Sequence, residues 1–131
     1  MNERPVALVT GATRGIGLGI ARHVSQAGFD VVNVSPSGAA GPHLRASMAC
    51  DVADVDAHDD VIERVARDFG RLDLFVSNAG IAPDVRRDVL ETTPESFDRV
   101  IGANLRGAFF LGQKVARYML GCRTSVPGCR P

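Results

Sequence analysis

Little in this sequence would carry it to a membrane, to nucleic acid or into an oxidising compartment. The longest uninterrupted apolar runs are only a few residues, far short of the ~20 that a membrane-spanning helix needs. No excess of one charge exists either. Fifteen basic residues balance 15 acidic ones, so a broad attraction to nucleic acid or anionic lipid has no source. Lysine is nearly absent: Lys114 is the only one, and the other basic residues are arginine. Cys50, Cys122 and Cys129 form no Cys-x-x-Cys pair. An odd count without a secretion signal argues against a disulfide framework. The polar stretch Met1 to Pro5 leads straight into Val6-Ala7-Leu8-Val9, which reads as a strand and not as a signal peptide. The cytoplasm is the expected compartment. His23, His43 and His58 lack ligand spacing, so no metal is expected.

What is present suits one globular unit. The chain has 131 residues, 45% of them hydrophobic and 23% charged. A chain of this size buries roughly two-thirds of its unfolded surface, enough for one core. Short apolar runs alternate with helical periodicity. Val6 to Thr10, ended by Gly11, predicts a first strand. Ile16, Ile20, Val24 and Ala27 predict one face of a helix, stopped by Gly28. Val31 to Val34 and Met48 to Cys50 read as second and third strands. Val61, Val65 and Phe69, widened by Ile62 and Ala66, form a second helical stripe closed by Gly70, with Asp54 as its expected cap. Leu72 to Val76 reads as a fourth strand. Thr92 or Thr93 then caps a long helix running towards Met119. After Leu120 the periodicity ends, and 121–131 reads as an irregular tail. This order predicts an α/β fold, a parallel sheet with helices on both faces. The crossover from Pro36 to Ala46 is short and rich in Pro, Gly, Ala and Ser, and is expected to pass as an irregular loop. The acidic run from Asp51 to Asp60 reads as a solvated helix start.

The loop Thr10-Gly11-Ala12-Thr13-Arg14-Gly15-Ile16-Gly17 falls between the first strand and the first helix. That context gives each glycine a task. Gly11 allows a sharp turn, Gly15 leaves room for a pyrophosphate beside the backbone, and Gly17 brings helix and sheet close. The N–H groups of the helix start would meet the phosphate charge. The spacing Gly-x-x-x-Gly-x-Gly differs from the common Gly-x-Gly-x-x-Gly fingerprint, and no Gly-x-x-x-x-Gly-Lys-[Ser/Thr] loop is present. Taken alone, the loop fits a structural turn or a dinucleotide site; its placement favours the latter.

With these residues the sequence resembles the short-chain dehydrogenase/reductase family, whose cofactor signature is Thr-Gly-x-x-x-Gly-Ile-Gly. Cys50-Asp51-Val52 stands where the family places an Asp against the adenine. Ser77-Asn78-Ala79-Gly80 matches its Asn-Asn-Ala-Gly, with Ser77 for the first Asn. Asn104-Leu105-x-Gly107 matches its Asn-x-x-Gly. Over Pro5 to about Leu120 the chain is most similar to bacterial 3-oxoacyl-carrier-protein-reductase-like members. The resemblance implies a Rossmann-type, doubly wound sheet, truncated after the fourth strand and the long helix, with 1–120 as an incomplete dinucleotide-binding domain. It implies hydride transfer between a nicotinamide cofactor and a carbonyl or alcohol. The cofactor would rest on Gly11, Thr13, Arg14, Gly15, Ile16 and Gly17, with Asp51 and Val52 at the adenine and Asn78, Ala79 and Gly80 beyond.

The family's catalytic machinery is a Tyr acting as acid/base, a Lys that lowers its pKa, a Ser that polarises the substrate, and an Asn that supports a proton relay. Asn104 matches the Asn. The only Tyr, Tyr118, is followed four residues later by Cys122, so no Tyr-x-x-x-Lys exists. Lys114 and Tyr118 read as ordinary helix surface, and Ser125 follows no apolar strand. Ser35 occupies the position where NAD-preferring members carry an acid. Arg14 can pair with a 2′-phosphate through a charge-assisted bond of about 1.5–3 kcal/mol. These residues favour NADP and leave NAD open. An oxidoreductase represented by its cofactor-binding half, a non-catalytic nucleotide-binding or interaction module, and a non-functional fragment are the readings in play. The long helix is apolar on more than one side, with Val100, Ile101, Leu105, Ala108, Phe109 and Leu111, so a homo-oligomer is expected.

Overall fold

Alternating strand positions bury two different faces, and that alternation builds the sheet. In a computed structural model, which describes residues 3–124, strand β1 (Val6–Thr10) is buried at every position. It pairs in parallel with β2 (Asp30–Ser35) on one side and β4 (Leu74–Val76) on the other; β3 (Ala46–Ala49) pairs with β2. The order is β3-β2-β1-β4. Val6, Leu8, Val32 and Val34 face α2 (His58–Phe69) and the later helix α4 (Ala108–Thr124). Their core includes Val61, Val65, Phe69, Leu111 and Val115. Val9 and Val31 face the opposite way, onto Ala21, Ile20 and Val24 of α1 (Gly15–Gln26). Helices therefore cover both faces of a parallel sheet, the doubly wound α/β arrangement.

Several local expectations shift. Ile16 is 80% exposed and Ala27 is exposed as well, so the buried stripe of α1 runs through Gly17, Ile20, Ala21 and Val24. In the first turn only Gly17 reaches the core, and Ile16 stands on the opposite, open side. Asp54 precedes a 3-10 turn, Val55–Ala57, and makes no side-chain cap; α2 begins only at His58. Leu72 and Asp73 lie before β4, because Asp73 turns its side chain back to the Val6 N–H. Thr93, not Thr92, caps α3 (Pro94–Ile101), accepting from the Ser96 N–H, with Pro94 in the first turn.

The expected single long helix is three pieces. A π-helical segment, Gly102–Gly107, separates α3 from α4. Gly107 explains the site of this change: a Cβ there would overlap the Val52 carbonyl. The helix widens where it presses on the β3–α2 connection, as π segments do at close contacts. The helix also passes the expected end at Leu120 and continues through Thr124. Its backbone can extend because no proline lies between Pro94 and Pro127. The remainder of the expected tail, 125–131, lies outside the described residues, as do Ser125, Cys129, Met1 and Asn2. The crossover between β2 and β3 carries no helix. Gly38 holds it at φ +63°, where a Cβ would lie 2.6 Å from the Ala49 nitrogen.

Candidate functional site

The carboxyl ends of β1, β2 and β4 open into a cleft of about 670 Å³. Gly11, at φ +69°, turns the chain off β1, and its N–H donates to the Val34 carbonyl. The next N–H, of Ala12, donates to Asn33 Oδ1 at 2.8 Å. Gly15 takes φ +55° and faces open space, so this backbone is bare to any ligand. Gly17 has no room at all: a Cβ would overlap the Gly11 carbonyl and approach Asn78 Nδ2 to 2.6 Å. Arg14 starts α1 in extended conformation without a side-chain cap, and the first turn holds no acid. The positive end of that helix therefore faces the cleft uncompensated by protein.

Across the cleft, the segment that follows β4 is held to the end of β1 through the Thr10 hydroxyl. Thr10, 1% exposed, accepts from the N–H groups of Asn78 (3.0 Å) and Ala79 (2.9 Å). Asn78 returns the bond, its amide donating to the carbonyls of Thr10 and Gly11, each at 3.1 Å. Asn78 thereby fixes the glycine loop. Beyond β3, Asp51 Oδ1 accepts from the Ala53 N–H and stays exposed at the rim beside buried Val52. Burial, followed by the charges of Asp54, Asp51 and Asp60, pushes the Cys50 thiol above its usual pKa. It is an unreactive core group there. His58, fully buried, contacts the Val52 carbonyl through Nε2 at 2.8 Å.

Every glycine-loop residue expected at the site lines this cleft: Gly11, Thr13, Arg14, Gly15, Ile16 and Gly17. Ser35, Asp51, Val52, Asn78, Ala79 and Gly80 line it too. Exposure of Ile16 belongs here, since its side chain borders the cleft instead of the core. Asn104 does not line it. Its amide brackets the backbone of Ile81, accepting from the N–H at 2.7 Å and donating to the carbonyl at 2.9 Å. It acts on the cleft through Ile81, which does line it. Lys114 and Tyr118 are not plain surface. Lys114 pairs with Asp59 at 2.6 Å, joining α4 to α2, and Tyr118 packs on the core. Arg14 and Asp51 are the charged groups among the described lining residues. No cluster of three or more His, Cys, Asp or Glu among the described residues could hold a metal. No described helix is long and apolar enough to cross a membrane.

The sequence reading missed Val34, Pro36, Ser37, Ile81 and Ala103 in the lining. It also missed Asn33, which stands fully buried in β2 beneath the glycine loop. The signal was there: an amide inside the apolar strand Val31-Val32-Asn33-Val34 needs partners.

Residues 5–126 match the family described as short chain dehydrogenase. The chain belongs to the short-chain dehydrogenase family. It is 40% identical over 112 residues to the 3-oxoacyl-[acyl-carrier-protein] reductase MabA of Mycobacterium tuberculosis, covering 86% of this chain and 44% of that protein. The gluconate 5-dehydrogenase of Gluconobacter oxydans is 38% identical over 124 residues, covering 87% of this chain and 48% of the relative. The chain thus spans about half the length of the curated relatives it matches. Among solved structures, a 3-oxoacyl-[acyl-carrier protein] reductase from Brucella melitensis superposes with a TM-score of 0.84 at 38% identity. The match covers 92% of this chain and 52% of that one. A structure of the Brucella reductase in complex with NAD gives 0.81 at 38% identity, covering 92% and 51%. The doubly wound fold and the family are common to this short-chain dehydrogenase chain and these relatives.

Proposed function

We propose that the cleft binds a nicotinamide dinucleotide, NADP in preference to NAD. In this reading the chain is the cofactor-binding part of an oxidoreductase acting on a carbonyl or alcohol. The observation that carries the reading is convergence. The glycine loop, the uncapped start of α1, Asp51–Val52 and Asn78–Gly80 meet at the carboxyl ends of parallel strands, where open α/β sheets hold ligands. The residues present fit the group. Open space at Gly15 and the positive end of α1 suit a pyrophosphate. Asp51 and Val52 would hold the adenine, Arg14 and Ser35 its ribose, and Ala79 and Gly80 the stretch beyond. When bound, the dinucleotide supplies or accepts the hydride. Asn104 serves as a positioning residue, holding Ile81 in place. Residues 1–120 act as one dinucleotide-binding unit, working in the cytoplasm.

Arg14 supports the NADP preference as the one cation among the described lining residues, with Ser35 where an acid would serve NAD. Calorimetric titration of the 131-residue chain tests this. NADPH binds weakly and NADH more weakly still, and Arg14→Ala narrows the gap. No heat with either at millimolar concentration overturns the dinucleotide reading; tighter NADH binding overturns the preference. With no Tyr-x-x-x-Lys in its sequence, this chain alone should show no steady NADPH oxidation with a β-ketoacyl thioester. Turnover that survives removal of host reductases would contradict that.

The helical arm supports a homo-oligomer. Leu111 and Val115 are buried, while Phe97, Leu105 and Phe109 are 57%, 61% and 63% exposed. One side of the arm thus serves the core and another awaits cover. A second copy of the same arm is the proposed cover.

A further inference from the structure

The buried amide beneath the glycine loop links the two walls of the cleft. Asn33 is fully buried, and its partners are set by chemistry. The Ala12 N–H can only donate, so the oxygen of the Asn33 amide must face it, at 2.8 Å. Nδ2 is left to donate to Ser47 Oγ at 2.7 Å and to Ser35 Oγ at 3.2 Å. Ser35 Oγ also receives the Gly38 N–H at 3.2 Å. A hydroxyl has two acceptor sites and one proton. Two N–H groups of the protein therefore approach Ser35 Oγ, that of Gly38 being shared with the Ser35 carbonyl at 3.1 Å. The hydroxyl proton is left to donate, and Ser35 lines the cleft.

We propose that Asn33 is a positioning residue for cofactor choice: it anchors the glycine loop at Ala12 and makes Ser35 a donor into the cleft. A ribose 2′-phosphate is the ligand group this arrangement favours, because a charged acceptor gains more from a fixed donor than a neutral hydroxyl does. An acid at the same position would do the reverse and accept from ribose hydroxyls. This inference rests on the dinucleotide reading above and adds the residue that sets its selectivity.

The test is a double-mutant cycle on the ratio of NADPH to NADH affinity, measured by titration of the full chain. Asn33→Thr keeps a hydroxyl near Ala12, suits a strand and removes the amide donor. It should lower the ratio by about threefold to tenfold, and Ser35→Ala should lower it similarly. In the Ser35→Ala background, Asn33→Thr should leave the ratio unmoved, since the Thr hydroxyl keeps the Ala12 anchor and the lost amide donor acts only through the Ser35 proton. A purely structural role for Asn33 would weaken both dinucleotides in parallel, and that result overturns the proposal. Independent, additive effects on the ratio overturn it too. Should Asn33→Thr not fold, Asn33→Ser takes its place with the same expectations. Wild-type protein that binds neither dinucleotide overturns the dinucleotide reading itself; wild-type binding with an unmoved ratio in the variants overturns this proposal alone.

Discussion

At the scale of the residue, the cleft depends on side chains that are absent as much as on those present. Gly17 and Gly15 should respond differently to the same change. Gly17→Ala drives a methyl into the Gly11 carbonyl, forcing loop and helix apart at a cost of about 1–3 kcal/mol. Urea unfolding should register that loss, and NADPH binding should vanish with it. Gly15→Ala meets no neighbour and carries only the left-handed strain of roughly 1–2 kcal/mol, while its methyl would stand in the space proposed for the pyrophosphate. Asp73, away from the cleft lining, carries the pH dependence. The Arg71 guanidinium hydrogen-bonds it and holds its carboxyl below the usual range; burial opposes and the Val6 N–H assists. A carboxyl depressed in the folded state stabilises above its unfolded pKa of about 3.9 and loses that contribution as pH falls through the folded value. Wild type should therefore exceed Asp73→Asn in stability at neutral pH. The gap should close below about pH 4, as read from denaturant midpoints across pH. A gap that does not change with pH would contradict the assignment.

At the scale of the element, stability and cleft geometry can be separated. Thr93 caps α3 through the Ser96 N–H, remote from the cleft lining. Thr93→Ala should cost about 0.5–2 kcal/mol and leave dinucleotide affinity where it was. Asn104 is the contrasting case. Its amide joins the π-helical segment to Ile81, so Asn104→Ala frees the backbone that follows Gly80. The expected result is weaker NADPH binding with a smaller change in unfolding midpoint than Thr93→Ala produces. Equal effects of the two substitutions on affinity would remove the distinction.

At the scale of the whole molecule, covered and uncovered surfaces conflict. β4 is an edge strand among the described residues, paired with β1 alone, and edges with apolar side chains invite pairing. The exposed Phe97, Leu105 and Phe109 add a second apolar surface. Light scattering over a dilution series should show a dimer or larger species at tens of micromolar. Leu105→Glu with Phe109→Glu should shift it to monomer. A cooperatively folding wild-type monomer at that concentration would exclude association through this arm.

The local code in the sequence settled a good deal by itself. Apolar runs of strand length marked β1 and β2, the Val61–Val65–Phe69 stripe marked α2, and glycines at fixed offsets after a first strand marked the cleft. Each is a short-range signal, carried by periodicity or by a backbone shape that only glycine takes easily. Other features arose only when distant segments met. The break at Gly102–Gly107 exists because Gly107 meets the Val52 carbonyl; helical periodicity alone reads straight through it. Ile16 looked apolar and therefore buried, yet the sharp turn at Gly11 lifts it into the cleft. Asn33 sits unremarked inside the apolar run Val31 to Val34, and its role emerges only with Ala12, Ser35 and Ser47 within hydrogen-bond reach. A buried amide is stable only with its partners in place; Ser35 is its neighbour on β2, but Ala12 and Ser47 come from two other segments that the fold alone brings to it.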